Sequence, residues 1–299
     1  MTRTMQRTAD GVAYEDGVSE LPDGRTMAWR WWGEPDGTPV LRIQGTPASR
    51  LYRNPDSSLQ RDLGVRYLMI DRPGYGGSTR KPDRGIADVA DDLAAVAAAH
   101  GIERIPAMGT SGGGPHVLAL AARHPKLVAA ATVVVGGTPL EPAEVKQLVG
   151  VNAQGYAAAE KGWQDLYELL VKVRERLLGE EGMAGVLSDA PESDRKLMAD
   201  PAWQRIEREN LAETLKQGAE GWTDESFAMH GKWDFDASVI KTSVTWWHGD
   251  DDKNAPISAA RRVVAKLRMV DLRIWHAEGH FASLVHDKEI VSELLSRAT

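Results

Sequence analysis

The run Met108-Gly109-Thr110-Ser111-Gly112-Gly113-Gly114-Pro115 carries a serine flanked as a nucleophile would be. Gly109-x-Ser111-x-Gly113 has the spacing of a nucleophile elbow, a sharp strand-to-helix turn that lifts a hydroxyl clear of a sheet. A serine at such a turn takes sparsely populated backbone angles. The positions two before and two after it then crowd each other, so both must lack a side chain. A helix starting there also sets its positive end beside the hydroxyl. A Gly-rich turn with a serine is common, so the spacing alone fits an ordinary turn as well as it fits catalysis. The apolar run Arg104–Ala107 before it and the helix-like His116–His124 after it favour the catalytic reading.

A serine nucleophile needs a general base, an acid behind that base, and donors for an oxyanion. The chain has eight histidines. His280, in Glu278-Gly279-His280-Phe281, lies just past the last strand-like run and is the leading base. His276 lies closer to the strand end. His100, His116 and His124 read as solvated or packed helix residues, and His286 as part of the final helix. The acid is expected in Gly249-Asp250-Asp251-Asp252-Lys253-Asn254-Ala255-Pro256. Adjacent carboxylates cannot all face one imidazole, and an acidic loop can simply cap the helix that begins near Pro256. Asp252 is favoured, because the loop needs a few residues to curl back towards the histidine. Asp251 is next, Asp250 is expected to hold the turn, and Glu141 is a remote alternative. The oxyanion hole is expected from the backbone N–H of Gly112 and one from Gln44-Gly45-Thr46-Pro47. Thr46 is preferred there, because Pro47 has no N–H. The chain order Ser111, Asp252, His280 is one of the known serine-triad orders.

These residues must be held by a frame of strands and helices. A hairpin over 13–20 and 25–32, with Pro22-Asp23-Gly24 at its turn, leads the chain. Strands are predicted at 39–43, 66–70, 104–107, 127–135, 243–248 and 270–275. Helices are predicted near 56–63, 86–100, 116–124, 257–267 and 284–296. Such alternation implies an α/β fold with a mostly parallel, eight-stranded sheet and helices on both faces. From about 140 to 225 strands vanish. Leu166, Leu169, Leu170, Val173 and Leu177 keep helical spacing, as do Trp203, Ile206, Leu211 and Leu215. The expected organisation is a core over 1–139, a helical cap over 140–225 before the acid-bearing strand, and the rest of the core over 226–299. Residues 1 to 12 are expected to be loose.

Five segments in this order resemble the α/β-hydrolase superfamily, in its capped serine esterase and lactonase branch. They are Gly45-Thr46-Pro47, Asp71-Arg72-Pro73-Gly74-Tyr75-Gly76-Gly77-Ser78, Gly109-Thr110-Ser111-Gly112-Gly113, Gly249-Asp250-Asp251-Asp252 with Pro256, and Gly279-His280-Phe281. The likeness spans about 13 to 297. It implies that the acid is the third residue after Gly249, which is Asp252. It also implies that Asp71–Ser78 is a structural loop near the site, without a chemical role. Two positions depart from the pattern. Gln44 stands where the family usually has histidine, and Gly112 where the residue is often larger.

The formal net charge of −7 and a pI near 5.7 argue against nucleic acid or an anionic membrane as partner. With no cysteine, disulfides and thiolate metal sites are excluded. The start of the chain lacks the apolar run of a signal peptide or anchor, and a cytoplasmic protein is expected. The expected activity is cleavage of a small-molecule carboxylic ester or lactone through an acyl-enzyme, needing no cofactor or metal. His276 and His280 lack a convincing third ligand. A serine nucleophile argues against the related branches that use aspartate. The rival readings are a C–C bond hydrolase, a proline iminopeptidase-like peptidase, a cofactor-free perhydrolase, and a non-catalytic receptor. Trp163, Trp203 and Trp222 either line an apolar pocket or pack cap against core.

Overall fold

The computed structural model describes residues 4–180, 182–183, 187 and 189–298. The first half of the chain builds β1 (Gln6–Arg7), β2 (Ala13–Glu20), β3 (Thr26–Trp32), β4 (Thr38–Ile43), α1 (Leu59–Leu63), β5 (Val65–Ile70), α2 (Ile86–Ala99), β6 (Ile105–Thr110), α3 (Gly113–Arg123) and β7 (Val128–Val134). Helices then follow one another: α4 (Pro142–Val145), α5 (Gly150–Ala159), α6 (Trp163–Leu178), α7 (Glu192–Met198), α8 (Pro201–Thr214) and α9 (Glu220–His230). The chain closes with β8 (Val244–Gly249), α10 (Ile257–Val264), β9 (Val270–Trp275), α11 (Ala282–Val285) and α12 (Asp287–Ala298).

The strands form one sheet in the order β1-β2-β3-β5-β4-β6-β7-β8-β9. From β5 across to β9 all pairings are parallel, and β1 to β3 add an antiparallel edge. The sheet therefore has nine strands where eight were expected. The extra one is β1, where Gln6 and Arg7 pair with Tyr14 and Ala13. Two exposed polar residues carry no alternation to read, so this strand exists only through its partner. The terminal helix is also split, with His286 between α11 and α12.

Strands β6 to β8 are apolar nearly throughout because both their faces are covered. Ala107, Val133 and Trp246 pack with Leu93 and Val96 of α2, Val117 and Leu118 of α3, and Val263 of α10. Their neighbours Met108, Val134 and Trp247 pack with Ile290, Val291 and Leu294 of α12 on the other face. This alternation is the two-residue period of a strand buried on both sides. The strand ends are thereby fixed, and the loops leaving β4, β6, β8 and β9 emerge at one edge.

The helices between β7 and β8 have their own apolar cluster. Leu166, Leu170, Val173 and Leu177 of α6 meet Leu211 and Leu215 of the α8 segment, with Trp222 of α9. The helical run extends to His230, past the boundary expected near 225. It is tied to the segments that follow β4 and β5 by ion pairs: Arg72 to Glu225, Arg80 to Asp224, and Arg50 to Glu213. Among the described residues no helix is long and apolar enough to cross a membrane.

Candidate active site

Ser111 sits between β6 and α3 with φ of 53°, a left-handed angle uncommon for a non-glycine residue. Its N–H donates to Val134 O at 2.8 Å, and its carbonyl accepts from Gly114 and Gly137 N–H at 2.9 and 3.0 Å. The flanking glycines are required by close approach. A Cβ on Gly109 would lie 2.2 Å from Gly113 O, the crowding anticipated from the spacing. A Cβ on Gly113 would lie 2.3 Å from Ile43 O, so that glycine also lets β4 come near.

The structure brings Ser111, His280 and Asp252 together. Nε2 of His280 is 2.9 Å from Ser111 Oγ, and Nδ1 is 2.8 Å from Asp252 Oδ2. An ionised carboxylate only accepts, so Nδ1 carries the proton and Nε2 is left to accept from the serine hydroxyl. The second oxygen of Asp252 accepts from Asn254 and Ala255 N–H at 2.8 and 2.9 Å. Burial acts to raise Asp252, but His280, then His248 and the Ala255 N–H, together outweigh it and hold the carboxyl below its ordinary value. Burial likewise acts to lower His280, and Asp252 together with Asp194 outweighs it, so the imidazole is held above its ordinary value.

The competing acids and histidines lie elsewhere. Asp251 faces solvent and pairs with Lys253. Asp250 holds the turn, accepting the Ala277 N–H at 2.7 Å and pairing with His276, whose side chain is 85% exposed. Glu141 pairs with Arg262. His286 stacks on Trp275, and His116 is buried against Glu225.

Three supports were not visible in the sequence. His248, under the acid loop, donates from Nε2 to Ala255 O at 2.7 Å while Nδ1 accepts from Trp246 Nε1 at 3.1 Å. Burial pushes it down towards the neutral form. Asp194 of α7 accepts the backbone N–H of His280. Arg72 shows what the Asp71–Ser78 loop, expected to be structural, does near the site. Fully buried, it donates to Gln44 O and Gly45 O, both at 2.7 Å, and to Thr46 Oγ1 at 3.1 Å. Its charge is met by Glu225, which also bonds His116. Gln44, in place of histidine, braces the same loop by donating to Ser49 O at 2.8 Å.

Thr46 and Gly112 face each other beside the serine. A Cβ on Gly112 would lie 2.1 Å from Thr46 Oγ1, so the small residue makes room for the threonine side chain. No protein partner for either backbone N–H is found among the described residues. Ser111, Thr46, Gly112 and His280 line a cavity of about 360 Å³. Leu148, Val151, Leu170, Trp222, Met229 and Trp233 make much of its wall apolar. Of the three tryptophans considered, only Trp222 lines it. Trp163 donates instead to Asp224 and stacks on Tyr167, and Trp203 packs beside Leu187, Met198 and Leu284. Among the described residues no group of three His, Asp or Glu side chains could hold a metal ion.

The model of the alpha/beta hydrolase fold family matches residues 38–287, and the chain belongs to that family. No curated protein matches it. Solved structures similar to it include the enol-lactonase from Burkholderia xenovorans LB400, at 17% identity over 94% of this chain and 100% of that one, with a TM-score of 0.69. A thermophilic esterase from Thermogutta terrifontis is 18% identical over 95% of this chain and 98% of that one, with a TM-score of 0.65. An alpha/beta hydrolase fold protein from Nakamurella multipartita is 23% identical over 99% of each chain, with a TM-score of 0.58. Such identities establish a shared fold.

Proposed function

We propose that the protein is a serine hydrolase that cleaves a carboxylic ester or lactone through an acyl-enzyme. The observation that carries this reading is the His280 ring, with one nitrogen 2.9 Å from Ser111 Oγ and the other 2.8 Å from Asp252. Ser111 Oγ attacks the carbonyl carbon as its proton passes to His280 Nε2. Asp252 keeps the ring in the right tautomer and stabilises its charged form. The N–H groups of Thr46 and Gly112 bind the oxyanion, each such donor being worth about 3–4 kcal/mol. Collapse expels the alcohol, which takes the proton from His280. A water activated by the same ring then releases the acid and restores Ser111.

The helices over 140–225, with the rest of α9, act as a cap that encloses the substrate. The mostly apolar wall suits an uncharged acyl or alkoxy group. The names of the Thermogutta esterase and the Burkholderia enol-lactonase favour ester and lactone bonds over other acyl bonds. The test is hydrolysis of a chromogenic short-chain ester by the wild type and by Ser111→Ala. Turnover by the wild type alone is the expected result. Equal rates for the two proteins, or none for either across esters and lactones, would overturn the reading.

A further inference from the structure

Glu207 of α8 lines the same cavity, yet it is only 6% exposed. Its carboxyl accepts from Asn210 Nδ2 at 3.2 Å and lies beside the Tyr52 hydroxyl, and both neighbours also line the cavity. The Asn210 amide cannot turn away, because its oxygen accepts from Ser49 N–H at 2.8 Å and from Ser49 Oγ at 3.1 Å. Among the described residues no cation pairs with Glu207. The guanidinium near Tyr52, Arg42, is already matched by Asp287 at 2.8 Å. A buried acid with neutral partners only is uncommon, since such groups are ordinarily paired. A carboxylate has room for about four hydrogen bonds, and these neighbours leave part of that capacity open. Burial accordingly pushes Glu207 up to about 7.

We propose that Glu207, with Tyr52 and Asn210, forms a polar subsite that takes a hydroxyl or ammonium group carried by the substrate away from its scissile carbonyl. The inference rests on the hydrolase reading above and narrows it to functionalised esters or lactones. A carboxyl poised on a cavity wall satisfies a donor that would otherwise be buried without a partner. It penalises a methyl group at the same place, which leaves the carboxyl desolvated and unanswered. A hydroxyl can bond either protonation state of Glu207, whereas an ammonium requires the ionised one.

The test uses esters of one leaving group whose acyl chains end in methyl, hydroxyl or ammonium, at increasing chain length. The readout is the ratio of kcat/KM between functionalised and methyl-ended esters within each variant, which cancels differences in the amount of folded enzyme. In the wild type, at one chain length, the ratio is expected to exceed about 10 for at least one of the two donors. Glu207→Leu brings it near unity. Glu207→Gln keeps a hydroxyl preference and loses an ammonium preference, which tells the two donors apart. A wild-type ratio near unity at every length, or a preference that survives Glu207→Leu, overturns the subsite while Ser111-dependent turnover leaves the hydrolase reading standing. If neither these esters nor lactones bearing the same end groups are turned over in a Ser111-dependent way, the hydrolase reading falls and the subsite with it.

Discussion

Asp194 grips the backbone of His280: one carboxylate oxygen accepts the His280 N–H at 2.9 Å, and the other accepts the Phe281 N–H at 3.0 Å. Gly279 permits this approach, since a Cβ there would lie 2.4 Å from Asp194 Oδ1. The carboxylate comes from the helical insert and the histidine from the loop after β9. Burial lowers His280, but Asp252 and then Asp194 outweigh it and raise its pKa. A base must be neutral, so activity is expected to grow as pH rises through that elevated value. Asp194→Asn removes one of the two raising charges. It should move the acid limb of the kcat/KM profile to lower pH and cut the maximum roughly 10-fold through looser placement of the ring. A profile superimposable on the wild type would contradict this role.

Asp252→Asn is expected to lower kcat by about 10⁴, because an amide no longer fixes the proton on Nδ1. Asp251→Asn, by contrast, changes a solvent-facing pair with Lys253 and should leave kcat within about twofold. Comparing the two by steady-state kinetics separates the proposed acid from its sequence neighbour.

Arg72 and Glu225 are both fully buried and bonded to each other. Arg72→Met leaves the buried Glu225 carboxylate with only His116 and the Arg84 guanidinium at 3.8 Å, and frees two carbonyls of the Gln44–Thr46 loop. The expected loss is about 3–5 kcal/mol by denaturant unfolding. Adding Glu225→Leu should not recover that stability, because it leaves the buried Arg84 guanidinium without the carboxylate 3.8 Å away, and catalysis should stay impaired because the loop has lost its brace.

Gly112→Ala places a methyl 2.1 Å from Thr46 Oγ1. The helix start and the Gln44–Pro47 loop must then separate, and a fall in kcat of roughly 10-fold or more is expected with the fold retained. Thr46→Gly in the same chain removes the obstacle and should restore part of the rate, since the proposed donor is the backbone N–H.

Glu207 offers a check by stability alone. Its folded pKa of about 7 lies above the ordinary value, so the native state holds a proton that the unfolded chain has released. Stability should therefore decline as pH rises from the ordinary glutamate range through 7, at about 1.4 kcal/mol per unit of pKa difference. Glu207→Gln removes this decline, so its Tm advantage over the wild type should widen between pH 5 and pH 8.

Much of the frame was legible because it rests on local signals. Trp246 and Trp247 lie in an apolar run that only a strand covered on both faces uses, and Gly109 and Gly113 announce a turn too tight for side chains. His280 and Asp252 could be placed because each follows a strand end within a short, glycine-marked loop. The supports were illegible for the opposite reason. Arg72 and Glu225 are 153 residues apart, and each alone resembles a surface charge. Asp194 belongs to a short polar helix with no periodic apolar face, so nothing nearby hints that it reaches His280. Trp203 stayed open for a related reason: large aromatic rings on an insert suit a pocket wall and an interior seam equally well, and only packing decides.

The positive φ of Ser111 has a consequence for how this chain can be improved. Glycine is the residue best suited to that backbone angle, so Ser111→Gly is expected to yield a sturdier molecule that no longer reacts. Selection for heat tolerance alone would therefore tend to erase the hydroxyl. Screens for robust variants should score turnover alongside melting temperature from the outset.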